Sequence, residues 1–97
     1  MKLNLTIDAE KDLTQIARYT LANFGQTQAR IYYQGLVKVF DILCQHPELG
    51  RSQTHIRPHL KRFVHQHHSI YYQVQSEQLT IIRVLNKRQD PLSQFAQ

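Results

Sequence analysis

The chain changes its hydrophobic period at Pro47, and this change limits the folds that are open to it. Before Pro47, apolar residues recur every three to four positions over long stretches, the spacing of an amphipathic helix. After a polar loop over residues 48–58, apolar and polar residues alternate, which is typical of strands. Because a residue before proline avoids helical backbone angles, the last long helix should end at His46. The sequence therefore predicts helices followed by strands.

The first half begins with a strand and continues as two helices. Residues 2–7 alternate between polar and apolar types, the pattern of a strand with one buried face. Asp8 is placed to cap a first helix, and Gly25 is placed to end it. Thr27 is the expected cap of a second helix. With so short a connection, the two helices should form a tight hairpin.

The second half contains three strand-like segments, at residues 59–67, 69–75 and 79–86, joined by links short enough for antiparallel hairpins. The last segment is almost wholly apolar, which favours a central strand that is buried on both faces. Its one charged residue, Arg83, must emerge at an edge or find partners. Residues 88–97 lack periodicity, so this tail should be extended or become ordered only in a complex.

These elements define a single domain of 97 residues, residues 1–97, built around one core. The order is strand, helix, helix, strand, strand, strand. We therefore predict an α+β fold in which a helical hairpin packs on a twisted antiparallel sheet.

The positive charge is concentrated in the second half of the chain. The formal net charge is +5, and residues 1–48 contain five Lys or Arg against five acidic residues. Residues 49–97 contain seven Lys or Arg against only Glu77 and Asp90, so they carry the whole excess. A one-signed surface on so small a protein indicates a partner of opposite charge, either nucleic acid or an acidic protein.

Neither a disulfide nor a membrane segment is expected. Cys44 is the only cysteine, so the fold must depend on packing, as in a reducing compartment. No stretch approaches the roughly 20 apolar residues of a transmembrane helix, and no signal-peptide core follows the first residues. The cytoplasm is therefore the expected location.

The histidines suggest two kinds of chemistry, neither with a strong signal. His65, His67 and His68 could bind a metal ion, but too few ligands of suitable type lie nearby for a zinc site, and we predict none. The same histidines could serve as acid or base in RNA cleavage, with arginines holding the phosphate. The chain has no Ser-His-Asp signature, phosphate-binding glycine loop or dinucleotide fingerprint, so we predict no catalytic residue and no cofactor.

The second predicted helix has more apolar residues than one buried face requires. Ile31, Val39 and Ile42 fall outside its main stripe, and Tyr19 lies on the neighbouring helix. Surplus apolar surface of this kind suits the docking of an amphipathic partner helix.

A set of short motifs runs in one order along nearly the whole chain. It comprises Ala9, Asp12-Leu13, Ile16, Tyr19, Gly25, Ala29, Tyr32, Pro47-Glu48-Leu49-Gly50-Arg51, Ile56-Arg57, Ile70-Tyr71-Tyr72, Ile82-Arg83-Val84-Leu85 and Asp90. In this order and spacing the chain resembles the ParE branch of the RelE/ParE superfamily, the toxins of type II toxin-antitoxin systems.

The resemblance implies a function and its partners. It implies a toxin that inhibits DNA gyrase and is neutralised by a cognate ParD-like antitoxin. The expected assemblies are a homodimer, or a heterotetramer or larger complex with the antitoxin. RelE-like relatives are instead ribosome-dependent mRNA endonucleases, and this is the alternative. It is disfavoured because no Tyr or His follows the last strand, where Asn86 leads into the tail. A third hypothesis is that the chain is a simple nucleic-acid-binding module.

These arguments assign residues to two binding surfaces. The target surface is predicted to consist of Arg57, Lys61, Arg62, Arg83, Lys87 and Arg88. The antitoxin groove is predicted to consist of Tyr19, Ile31, Val39 and Ile42. Strand alternation places Lys61 and Arg62 on opposite faces of the sheet.

Overall fold

A computed structural model describes residues 1–96 of the chain. The elements, in chain order, are β1 (Lys2–Leu5), α1 (Ile7–Gln45), a 3₁₀ turn (Pro47–Leu49), β2 (Arg51–Ser52), β3 (Lys61–His65), β4 (His68–Gln75), β5 (Gln78–Asn86) and α2 (Pro91–Phe95). The predicted order of strand, two helical stretches and three strands is confirmed. Strand β2 and helix α2 are additions that the sequence did not predict.

The helical part of the chain is bent at Gly25. Gly25 has φ +87° and ψ 173°, a conformation almost confined to glycine, and it is the one non-helical residue within α1. A straight helix of 39 residues would be about 58 Å long, whereas the longest dimension of the molecule is 37 Å. The chain therefore reverses at Gly25, and Leu13 and Tyr33 from the two sides line the same groove. This confirms the predicted hairpin, whose first and second arms are residues 7–24 and 26–45.

The start of each arm differs from the prediction. Thr6, not Asp8, is the N-cap of the first arm, since its hydroxyl oxygen accepts a hydrogen bond from Ala9 N at 3.0 Å. The same hydroxyl donates to the Ile82 carbonyl at 2.7 Å, so the cap also ties the helix to β5. The second arm resumes directly after Gly25, so Thr27 lies within the helix and caps nothing.

The sheet has five strands in the order β1-β5-β4-β3-β2. The pairs β2–β3, β3–β4 and β4–β5 are antiparallel, whereas β1 pairs with β5 in parallel. The prediction of a wholly antiparallel sheet is therefore wrong at one edge, because both helical arms and three strands intervene before β5 returns beside β1. Strand β5 has a neighbour on each side, which confirms its predicted central position.

Each face of the sheet has its own apolar cluster. The face toward α1 packs Ile70, Tyr72 and Ile81 against Leu36 and Phe40 of the second arm. The opposite face carries Leu60, Tyr71 and Leu85, with Ile56, Ile82 and Phe95 packed against them.

Two adjacent apolar residues of β3 lie on opposite faces of the sheet. Phe63 pairs with Ile70 and belongs to the α1 side, whereas Val64 is on the other side and is 53% exposed.

The tail folds back onto the apolar cluster of Leu60, Tyr71 and Leu85. Residues 88–97 were predicted to be extended or to become ordered only in a complex, but Pro91–Phe95 form helix α2 in the chain alone. The Phe95 ring contacts Tyr71 edge to face at 5.2 Å between centroids, and the Arg57 guanidinium lies over it at 5.0 Å. The sequence did not predict these contacts, because the tail has no hydrophobic periodicity. Gln97 lies outside the described residues.

The loop after the helices is fixed by one buried tyrosine. The Tyr72 hydroxyl accepts a hydrogen bond from Gly50 N at 2.8 Å and donates one to the Pro47 carbonyl at 2.7 Å. A Cβ on Gly50 would lie only 2.7 and 2.8 Å from two Tyr72 ring carbons, so glycine is required there.

Within residues 1–96, no helix has the length and apolarity needed to cross a bilayer.

Candidate interaction surfaces

Arg83 is held inside the protein by an acidic partner. Its Nε lies 2.8 Å from one Asp12 oxygen and its terminal nitrogen lies 2.9 Å from the other. The second terminal nitrogen donates to the Gln94 side chain of α2 at 3.1 Å. This Asp12 hydrogen bond raises the pKa of Arg83, and burial offsets part of the effect. The expectation that Arg83 would need partners is confirmed, and its side chain is only 15% exposed.

Asp12 also completes the edge of the sheet. Strand β1 pairs with β5 only as far as Ile81, so the next part of the β5 edge has no strand beside it. One Asp12 oxygen accepts the backbone N–H of Val84 at 2.9 Å. The Asp12 carboxylate therefore accepts a backbone hydrogen bond that a neighbouring strand would otherwise accept, and it also neutralises the Arg83 charge.

The other members of the predicted target surface are not gathered in one place. Lys61 pairs with Tyr72, which faces α1, and Arg62 pairs with Tyr71, which faces the other way. The prediction that Lys61 and Arg62 lie on opposite faces is confirmed. Arg57 is half-buried against the Phe95 ring. Lys87 and Arg88 are exposed in the turn after β5.

One arginine that the sequence prediction omitted lies beside a member of the set. Arg51 on β2 is directly opposite Arg62 on β3, and Arg62 is directly opposite Tyr71 on β4. Since residues paired in this way project from the same side of a sheet, both arginines lie on the face away from α1. The missed signal was the two-residue strand at Arg51, which is too short to show alternation.

Three of the four residues predicted for the antitoxin groove are exposed. Tyr19 is 64% exposed, and Ile31 and Ile42 are 54% and 38% exposed. Ile42 follows Ile31 by eleven positions, a spacing that returns a helix to nearly the same face. The prediction fails for Val39, which is 8% exposed and packs in the core beside Leu36 and Phe40.

The end of the hairpin adds further apolar surface. Every residue from 21 to 28 is exposed, so this end of the hairpin projects beyond the sheet. Phe24 is 62% exposed and contacts Tyr19 at 6.4 Å between ring centroids. Leu21 is 51% exposed on the same arm. Sequence patterning missed these residues because their spacing is that of an ordinary buried stripe.

The histidines cluster on the helix side of the sheet. His65, His67 and His68 surround the Tyr32 ring at centroid distances of 5.9, 6.4 and 5.5 Å. The Tyr32 hydroxyl and His68 Nδ1 share a hydrogen bond of 2.6 Å. Burial lowers the pKa of His68, as do the neighbouring histidines, and burial also lowers the pKa of His65. Among the described residues, no three His, Cys, Asp or Glu side chains are grouped to bind a metal ion.

A cleft of about 470 Å³ opens where α1, β5 and α2 meet. Its lining combines Lys11 and Asp8 with the Asp12–Arg83 pair and the Arg57–Phe95 contact. The paired charges leave little net charge in the cleft, and the histidines are not among its lining residues. The arginines and histidines proposed for RNA cleavage therefore lie on opposite sides of the sheet.

The comparisons with known proteins agree with one another. The family model described as "ParE toxin of type II toxin-antitoxin system, parDE" matches residues 3–91. Toxin ParE1 of Mycobacterium tuberculosis is 30% identical over 83 residues, covering 84% of this chain and 85% of the relative. Toxin ParE3 of Caulobacter vibrioides is 29% identical over 84 residues, covering 87% and 84%.

A solved structure has the same fold. The structure described as "Chromosomal ParDE TA system from P. aeruginosa" superposes with a TM-score of 0.77 at 22% identity. The match covers 89% of this chain and 95% of that chain.

Proposed function

Because the chain belongs to the ParE toxin family of type II toxin-antitoxin systems, we propose that it arrests growth by inhibiting DNA gyrase in the cytoplasm. A toxin of such a system has an antitoxin as its partner. We infer that a ParD-like antitoxin neutralises this chain by binding the helical hairpin, in a heterotetramer or larger complex. The target would be engaged by a different part of the surface.

The observation that supports this proposal is the separation of apolar and cationic surface. Within residues 1–96, seven of the twelve exposed large apolar side chains lie on the hairpin between Tyr19 and Ile42, and Val64 is the only one in strands β2 to β5. Most of the cationic residues of the second half lie on or near the sheet instead. Two surfaces of different character suit two partners of different character.

For the antitoxin we propose contacts with Tyr19, Ile31 and Ile42, extended by Phe24 and Leu21. An amphipathic helix could bury these side chains without unfolding the core. Val39 is excluded as a direct contact because Leu36 and Phe40 already cover it.

For the target we propose contacts with Arg57, Lys61, Arg62, Lys87 and Arg88. Arg83 would support this surface indirectly, since it orders α2 through Gln94. No reaction is required of any of these groups, because an inhibitor acts by binding.

The alternative of a ribosome-dependent mRNA endonuclease has less support. It would require Arg57, Lys61 or Arg83 to hold a phosphate within reach of a histidine. Arg83 is already bonded to Asp12, and His68 is bonded to Tyr32 on the other side of the sheet. Of the three proposed phosphate ligands, only Lys61 lies on the same face of the sheet as the histidines.

The two functions can be distinguished in cells that express the chain without antitoxin. Gyrase inhibition predicts growth arrest with an induced DNA-damage response and intact messages by primer extension. Codon-positioned cuts in translated messages, without a DNA-damage response, would overturn the proposal in favour of the nuclease. A protein that binds nucleic acid without arresting growth would overturn both.

A further inference from the structure

Two arginines face each other across β2 and β3 without an acidic residue between them. Arg51 and Arg62 are directly opposite in the antiparallel register, a position in which Cβ atoms lie about 5 Å apart. Like charges placed there repel each other. Within residues 1–96, the ion pairs are Asp12 with Arg83 and His46 with Glu48, so neither arginine has a carboxylate within 4.0 Å.

The pair belongs to a row of side chains across the sheet. Tyr71 lies opposite Arg62, and Arg83 lies opposite Tyr71. Burial raises the pKa of the Tyr71 hydroxyl, the Arg62 guanidinium lowers it, and the Asp90 carboxylate adds to the rise. Of the three arginines in the row, Arg83 is neutralised by Asp12. The uncompensated charge is therefore concentrated on Arg51 and Arg62.

The surroundings of the pair are largely polar. On the strands next to it, Ser69 and Gln73 share the face of Tyr71 and are half-buried. Val64 is the only exposed large apolar side chain of strands β2 to β5. A protein partner gains most of its binding energy from a cluster of large side chains at the centre of the interface, and one exposed valine on this face does not form such a cluster. Phosphate groups require only positive charge and hydrogen-bond donors.

We propose that Arg51 and Arg62 together bind backbone phosphates of duplex DNA. Each guanidinium can donate two parallel hydrogen bonds to one phosphate, and two neighbouring arginines suit adjacent phosphates. No Asp or Glu occurs from residue 49 to residue 76, so strands β2 to β4 carry no negative charge of their own. The inference rests on the proposed function, to which it adds that the toxin contacts the DNA held by gyrase and not only the enzyme.

The test is the fluorescence anisotropy of a labelled 20-base-pair duplex of arbitrary sequence, titrated with the chain between 50 and 200 mM salt. The variant is Arg51→Gln/Arg62→Gln, which keeps the aliphatic stems and removes two charges. The matched control is Arg18→Gln/Arg30→Gln, which removes two exposed charges from the hairpin. Equal melting temperatures of the three proteins verify that the fold is retained.

Each phosphate contact contributes about 0.9 to the slope of log affinity against log salt. The paired variant should therefore have a slope lower by about 2, so that its affinity falls about tenfold less than that of wild type over this salt range. The control should keep the wild-type slope. Equal slopes for both variants, or equally tight binding of polyglutamate to the wild-type chain, would overturn the inference.

A parallel supercoiling assay separates this inference from the function on which it rests. Loss of DNA binding specific to the paired variant, with no gyrase inhibition by wild type, would refute the proposed function and leave DNA binding by the pair. Gyrase inhibition by wild type with unaltered DNA binding in the paired variant would refute the role of Arg51 and Arg62 alone.

Discussion

Asp12 holds the Arg83 guanidinium with both carboxylate oxygens, at 2.8 and 2.9 Å, across 71 residues of sequence. The same carboxylate accepts the Val84 backbone N–H, so one side chain joins the first helical arm to the central strand. Arg83 extends the connection to α2 through Gln94. The first helical arm, β5 and α2 therefore meet at one buried ion pair.

Asp12→Ala should be strongly destabilising. It leaves the Arg83 charge and the Val84 N–H without their partner, and removing one member of a buried pair costs about 3–5 kcal/mol. Urea denaturation measures the loss in the free energy of unfolding. Glu10→Ala, an exposed acid in the same turn, is the control and should cost less than about 1 kcal/mol. Similar losses for the two variants would show that the ion pair is not structural.

Gly25→Ala and Gly35→Ala should have opposite effects on stability. At Gly25, φ +87° would strain any L side chain even though space is available, at a cost of about 1–3 kcal/mol. At Gly35 the backbone is helical, and a Cβ would make an ordinary contact 3.5 Å from His65, so alanine should be neutral or stabilise by up to about 1 kcal/mol. Thermal melting of both variants provides the comparison, and a shift of the same sign at both sites would contradict the hairpin geometry.

Acid should weaken the contact between Tyr32 and His68. Because burial lowers the pKa of His68 below its usual 6.5, the unfolded chain takes up more protons as the pH falls through that value. The stabilisation is therefore present above about pH 6.5 and is lost as the pH falls toward the folded-state pKa. Urea denaturation at pH 7.5 and pH 5 should show a smaller loss for His68→Gln than for wild type.

The control for this pH effect is His59→Gln, an exposed histidine on the loop before β3. It should keep the whole wild-type loss. An identical pH dependence in His68→Gln and wild type would exclude His68 as its source.

Ile31→Asp and Val39→Asp should distinguish the antitoxin surface from the core. Ile31→Asp should leave the free energy of unfolding within about 0.5 kcal/mol of wild type and weaken antitoxin binding about tenfold or more, or by at least about 1.4 kcal/mol. Val39→Asp should prevent stable folding, because it buries a charge among Leu36 and Phe40. Calorimetric titration with the antitoxin and urea denaturation give the two quantities. Gln34→Asp controls for added charge, and binding unaffected by Ile31→Asp would remove this face from the interface.

The local features of the fold were largely predictable from the sequence. The hairpin turn at Gly25 follows from glycine's tolerance of positive φ, and the central position of β5 follows from its apolar run. Val39 was misplaced because a helical stripe has no sharp border, so a residue at its margin can face either core or solvent. The faces of Phe63 and Val64 could not be assigned, because alternation cannot choose between two adjacent apolar residues.

The features that depend on distant contacts could not be predicted. The parallel pairing of β1 with β5 and the Asp12–Arg83 pair each join the first residues of the chain to the last strand. Helix α2 depends on Phe95 reaching Tyr71 and Arg57. The opposition of Arg51 and Arg62 depends on the register of a two-residue strand. In each case, only the folded structure identifies which residues are in contact.

The most direct test of the account is DNA supercoiling by purified gyrase with increasing amounts of this chain, alone and after mixing with its antitoxin. The account predicts that supercoiling is inhibited, and gyrase-DNA cleavage complexes accumulate, at micromolar concentrations of the free chain, and that the antitoxin reverses both. Unchanged supercoiling and no cleavage complexes with a folded chain at these concentrations would contradict it.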